Sequence, residues 1–217
     1  MTLSRHFNYQ NKIWWQGIIV GLAVSGVAVH AIRTKTRHVR EQQVPITDSW
    51  TAAQDKAILD PQKDAAWKNW LASLEDLRGK PLTFQAVEVN RRVNALMTYA
   101  EDRVIYNSDD YWAAPAESLH HKKGDCEDFA ILTYESLRHL GVPDERCGVM
   151  LFKTKNAQGE PSGHAATLVD VSDERGYICF LVLDLKNNIR DLQKIPATEM
   201  TPAHVVNRST SHPYPGR

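Results

Sequence analysis

Cysteine is scarce in this 217-residue chain: three thiols, at Cys126, Cys147 and Cys179, are too few for a disulfide-stapled scaffold and show no CxxC spacing. A structural zinc site built on cysteine pairs is therefore excluded. An excess of charge is lacking too, because 26 basic residues balance 26 acidic ones. No global field draws such a chain to nucleic acid or to an anionic membrane surface, so partners must be recognised locally. There is no internal repeat and no low-complexity tract. With 42% hydrophobic and 24% charged residues, the composition is that of an ordered protein of one domain or two small ones.

What is present begins with an apolar run from Ile13 to Ile32, broken only by Gln16, Ser25 and His30 and preceded by Arg5 and Lys12. Residues 1–32 read as a secretory signal peptide or a membrane anchor. The core Ile18 to Ala28, followed by Val29-His30-Ala31, fits a signal cleaved after Ala31. The run of about twenty residues also reaches across a bilayer, with Trp14 and Trp15 suited to the interface. Against retention, Arg33, Lys35, Arg37 and Arg40 oppose the positive-inside rule for an exported C-terminus. A buried soluble helix is the third alternative. On the first two readings the folded part lies outside the cytoplasm, meets the membrane only through this segment, and sits where disulfides are allowed.

Residues 33–44 are basic, polar and aperiodic, as a linker is, and the domain is expected over 45–210. Ser49 can cap a helix from Trp50 to Leu59, Asp60-Pro61 can start one ending at Gly79, and Thr83 can cap a third reaching about Tyr106. The third draws a core face from Phe84, Val87, Val93, Leu96, Met97, Ala100 and Val104. Asn107 to Pro115 reads as a loop, and Gly124 to Leu140 as a helix with a buried stripe at Phe129, Leu132, Leu137 and Leu140. Beyond it the period shortens, and Cys147 to Lys153, Ala165 to Val171 and Tyr177 to Leu185 read as strands of an antiparallel meander. The expected class is α+β, with N-terminal helices and one central helix packed on a small antiparallel sheet.

The chemistry centres on Gly124-Asp125-Cys126-Glu127-Asp128-Phe129, which puts a cysteine on the first turn of the central helix. Backbone N–H groups at a helix start favour a thiolate, the form that attacks carbonyl carbon. A buried structural cysteine is the bland alternative. Later in the chain His164 stands at the start of one strand and Asp184 at the end of another, so adjacent strands can join them. A thiol, a base and an acceptor that fixes the base's tautomer make a sufficient nucleophile set.

Taken together, Asp110-Tyr111-Trp112-Ala113-Ala114-Pro115, Gly124 to Ala130, Leu140-Gly141-Val142-Pro143, Gly163-His164-Ala165 and Val182-Leu183-Asp184 resemble the bacterial transglutaminase-like cysteine proteases over roughly Val93 to Asn207. The resemblance implies a papain-like, transglutaminase-like core in which Cys126 is nucleophile, His164 general base and Asp184 the residue that orients it. It further implies a calcium-dependent periplasmic protease that clips a large surface adhesin near paired alanines and frees the cell from a surface. An inner-membrane cyclic di-GMP receptor sequesters such enzymes. The pattern departs from the family in following Asp184 with Leu185.

Asp125, Glu127 and Asp128 crowd three carboxylates around the thiol. Each charge at about 6 Å and an effective dielectric near 20 disfavours a thiolate by roughly 3 kcal/mol. The helix terminus returns only about 0.3–2 kcal/mol. A divalent cation resolves the conflict, and all-oxygen ligands suit Ca2+, with Asp125 and Glu127 first, Asp128 next and Asp109 or Asp110 beyond them. Alternatively, Asp125 caps the helix and Asp128 complements its dipole. Cys147 and Cys179 can pair or remain buried thiols, His120-His121 beside Lys122-Lys123 is a surface loop or an anion or metal patch, and Trp112 lines the cleft or packs in the core. The same triad also serves transglutaminase or amidase acyl transfer, and a catalytically silent, calcium-responsive module remains open.

Overall fold

The computed structural model describes residues 64–173 and 175–214; the apolar run, the linker and the helix expected over Trp50 to Leu59 lie outside them. The described chain opens at Asp64, whose extended backbone and Oδ1 cap helix α1 (Ala65–Ala72) by accepting the Trp67 N–H at 2.9 Å. The cap of this helix is Asp64, and the expected start at Asp60-Pro61 lies outside the described residues. A 3-10 turn (Glu75–Leu77) and Gly79 at φ +74° lead into α2 (Leu82–Leu96), which starts one residue before the expected Thr83 cap.

Helix α2 stops well short of Tyr106. Met97 turns extended at φ −100°, ψ 148° and buries its side chain, and Thr98 gives its N–H to the Lys122 carbonyl at 2.9 Å. A strand partner thus replaces the next helical hydrogen bond. The short strand β1 (Thr98–Tyr99) pairs in parallel with β2 (Lys123–Gly124), and a four-residue helix α3 (Asp102–Ile105) follows β1. The expected core face holds at Val93, Leu96 and Met97, but Ala86 and Val89 are fully buried in place of the expected Phe84, which is 50% exposed, and Val104, beyond α2, is 74% exposed.

Pro115 ends the expected loop by starting α4 (Pro115–His121), where its missing N–H costs nothing. Glu117 accepts the Ala114 N–H at 2.9 Å, and Lys122 closes the helix in the left-handed region at φ 50°. His120 and His121 are therefore helical. His120 meets Asp64 at 2.7 Å and His121 stands edge-on to Tyr106.

The central helix α5 (Cys126–His139) has no solvent face along most of its length, since every residue from Glu127 to Leu137 is buried. It packs on a sheet of the described strands β3 (Cys147–Lys155), β4 (Pro161–Asp170), β5 (Phe180–Leu183), β6 (Ile189–Asp191), β7 (Thr201–Val206) and β8 (Ser211–Pro213). Their order is β6-β5-β4-β3-β7-β8, antiparallel throughout. β3 to β5 form the expected meander, β6 adds an unexpected strand to it, and β7 returns beside β3. The period of two sorts the sheet: Val149, Ala165, Val169, Leu183 and Val206 join the core around α5, while Met150, Phe152, Ala166, Leu168 and Val182 meet Leu192, Ile195 and Met200 on the other face. Thr167 pins the layers by donating its hydroxyl to the Ala130 carbonyl at 2.9 Å.

Ile131→Ala, in the wholly buried part of α5, is expected to cost about 2–5 kcal/mol in urea denaturation, while Phe84→Ala changes stability by less than about 0.5 kcal/mol.

Candidate active site

The site grows from the junction of β2 and α5. A Cβ added at Gly124 would stand 2.5 Å from Cβ and Oδ2 of Asp128 and 2.9 Å from Met97 Cε. Glycine is needed here for close approach and not for a special backbone angle. Asp125 occupies the N-cap position but makes no side-chain cap bond. This corrects the capping alternative: its carboxyl faces those of Asp102, Glu127 and Asp128 instead.

Cys126 is the first residue of α5, so its main-chain N–H has no partner within the helix. Its thiol donates to Glu127 Oε2 at 3.2 Å, and the main-chain N–H of Ala165 on β4 points to the sulfur. Burial pushes the thiol up, and the charges of Glu127 and Asp125 push it further; the Ala165 N–H works against them. The helix terminus thus leaves the thiol protonated among its carboxylates.

Next to Ala165 stands His164, the fourth residue of β4, because pairing with β3 extends the strand back to Pro161. Its Nε2 lies 2.9 Å from Asp184 Oδ1, and both side chains are mostly buried. Asp184 directly follows β5, and its Oδ1 also accepts the Leu185 N–H at 2.7 Å, while Asn94 donates to its carbonyl at 3.3 Å. With a carboxylate as acceptor, Nε2 carries the ring proton and Nδ1 is left with the lone pair.

Five acids converge at the helix start. Asp102, Asp125 and Asp128 form one group, Asp102, Asp110 and Glu127 a second, and Asp125 and Glu127 flank the thiol in a third; within each, ligand atoms lie within 4.8 Å of one another. Burial pushes Asp102 up to about 6, Asp128 to about 8 and, with Asp125 beside it, Glu127 to about 9. Asp128 Oδ1 accepts the Ala113 N–H at 2.9 Å and Asp102 Oδ2 the Tyr111 N–H at 2.5 Å. Their second oxygens, and Asp125 Oδ1, are buried without a partner. Such orphaned oxygen donors fit a hard divalent cation.

In the sequence Asp102 is hidden inside a helix expected to run to Tyr106, and the polar triplet Glu101-Asp102-Arg103 is its only signal. Asp109 is exposed against Arg103 and stands apart from the cluster. Trp112 donates its indole N–H to Asp110 Oδ1 at 3.2 Å and is half-buried against the core. Cys147 and Cys179 are buried free thiols.

The family model of the bacterial transglutaminase-like cysteine proteinases matches residues 75–211. The chain belongs to that family. Among solved structures, calcium-bound LapG of Legionella pneumophila is 26% identical at a TM-score of 0.56, over 77% of this chain and 86% of that one. EGTA-treated LapG of the same organism is 27% identical at 0.53, over 74% and 81%. No curated protein matches the chain. The protein is thus a transglutaminase-like cysteine peptidase of α+β fold.

Because the folded protein keeps protons on Asp102, Asp128 and Glu127 that the unfolded chain releases near pH 4, it binds more protons than the unfolded state. Stability in chelator should therefore fall as pH rises from about 4 to about 9, and go on falling above that because burial also keeps the Cys126 and Cys147 thiols protonated in the folded protein, as followed by urea denaturation. Gly124→Ala should cost about 1–3 kcal/mol by driving Asp128 from its place.

Proposed function

We propose that the protein is an exported, calcium-dependent endopeptidase acting through Cys126, His164 and Asp184. The observation that carries this is the His164–Asp184 hydrogen bond on the strand whose next residue, Ala165, points its N–H at the Cys126 sulfur. The free Nδ1 of His164 takes the thiol proton as sulfur attacks the peptide carbonyl. The main-chain N–H of Cys126 steadies the oxyanion. His164 returns the proton to the leaving amine, and water then hydrolyses the thioester.

Asp125 and Glu127, with Asp102, Asp110 and Asp128, are the residues that hold calcium. The bound ion supplies positive charge that offsets the carboxylates beside the thiol. Support comes from the orphaned oxygens of the cluster and from the calcium-bound state of LapG. The apolar N-terminal run supports export to the periplasm. The family resemblance supports a large surface adhesin as substrate and an inner-membrane cyclic di-GMP receptor as regulator.

The full chain should cleave extended peptides containing paired alanines, and Cys126→Ala or EGTA should each abolish cleavage. Cleavage that survives Cys126→Ala would sink the mechanism. Calcium should raise the melting temperature of wild type but not of the Asp125→Asn, Glu127→Gln double variant; an equal rise in both would exclude these ligands.

A further inference from the structure

We infer that the outer edge of β1, at Tyr99, receives the substrate, an extended peptide segment that pairs there as a third strand and is so presented to Cys126. The inference rests on the peptidase reading above and names how that site takes its chain.

Within the β1–β2 pair, Thr98 donates its N–H to Lys122 and Ala100 its N–H to Gly124, both at 2.9 Å. Those groups face β2. Because successive residues of a strand point their main-chain groups to opposite sides, the N–H and C=O of Tyr99 face the other way. Among the described residues no strand pairs with β1 on that side, and Thr98 and Tyr99 are both exposed. An unpaired edge is ordinarily blunted by charge, proline or covering chain. Here it is short and bare, and it carries Tyr99, an aromatic residue that is 54% exposed.

The strand that pairs with β1 leads directly to the nucleophile. Tyr99 is in register with Gly124, two residues before Cys126. Burial, and then the charge of Asp125, push its phenol up. A peptide paired with Tyr99 runs about 4.8 Å from β1. Main-chain hydrogen bonds then hold the segment, and alternate side chains meet the Tyr99 ring or solvent. The substrate class follows from the pairing: a linker whose N–H and C=O groups are free, not a strand already paired in a folded domain.

The test uses the full 217-residue chain and two reagents for Cys126, with labelling sites read by mass spectrometry. One is acetyl-Ala-Ala-Ala chloromethyl ketone, from which sulfur displaces chloride to form a thioether; the other is iodoacetamide, which offers no peptide to pair. N-methylation of one alanine amide in the ketone should slow labelling of wild type about tenfold, while methylation of an amide facing away does not. Tyr99→Pro, which lacks the N–H, should lower the ratio of peptidyl to iodoacetamide labelling by a similar factor, and Tyr99→Ala by less. A melting curve reports whether the proline variant folds, and if it does not, the N-methyl series on wild type decides alone. Analogues methylated at each position that all react as fast as the parent overturn the pairing, whereas a Cys126 that takes up neither reagent overturns the peptidase reading on which it rests. Peptides left intact by a protein that shows the N-methyl pattern would overturn hydrolysis and leave the strand pairing standing.

Discussion

Helix α5 starts inside the protein, and its first three residues are a thiol and two carboxylic acids. Away from bulk water each must find a partner or stay neutral. Most of the surrounding architecture answers that requirement. Gly124 leaves the room that Asp128 fills, Ala113 gives Asp128 an N–H, and the Ala165 N–H reaches the sulfur. What the protein's own donors leave over is a set of carboxylate oxygens with nothing opposite them. A buried acid cluster of this kind is held neutral by protons or neutralised by a cation, and the two states differ in the field felt by the thiol.

The sheet contributes position. β4 and β5 are locked in one register, Thr167 opposite Leu183, and the buried face of that pair belongs to the core around α5. A slip by one residue would move Val169 and Leu183 to the wrong face, so burial itself fixes where Asp184 leaves the sheet relative to His164. The Thr167–Ala130 hydrogen bond ties the same strand to α5. Nucleophile and base therefore sit on two elements that cannot slide independently.

Most of the residues that carry the candidate chemistry were legible in the sequence, Asp102 being the exception. A cysteine behind a glycine at a helix start, a histidine at a strand and an acid after one are local signals, and α5, β3 and β4 follow from periodicity. What could not be read was decided by contacts distant in the chain. The break of α2 at Met97 depends on a strand partner 25 residues later, at Lys122 to Gly124. Without that partner, the apolar residues up to Val104 read as one continuous helix. Short strands such as β6 and β8 have too few residues to show a period, and α5 is buried on all sides, so its amphipathic stripe understated its core.

That break links the two sides of the site. Had α2 continued to Tyr106, Asp102 would lie on its surface, and Tyr99 would have its main-chain groups bonded within the helix. Ending the helix at Leu96 frees residues 98–100 to pair with β2, which brings Asp102 under the start of α5 and turns the Tyr99 N–H outward. The acid cluster and the open edge are thus consequences of one local choice, the exchange of helical hydrogen bonds for a two-residue parallel pair. Any change that weakens this pair perturbs the electrostatics of the thiol and the outer strand edge together.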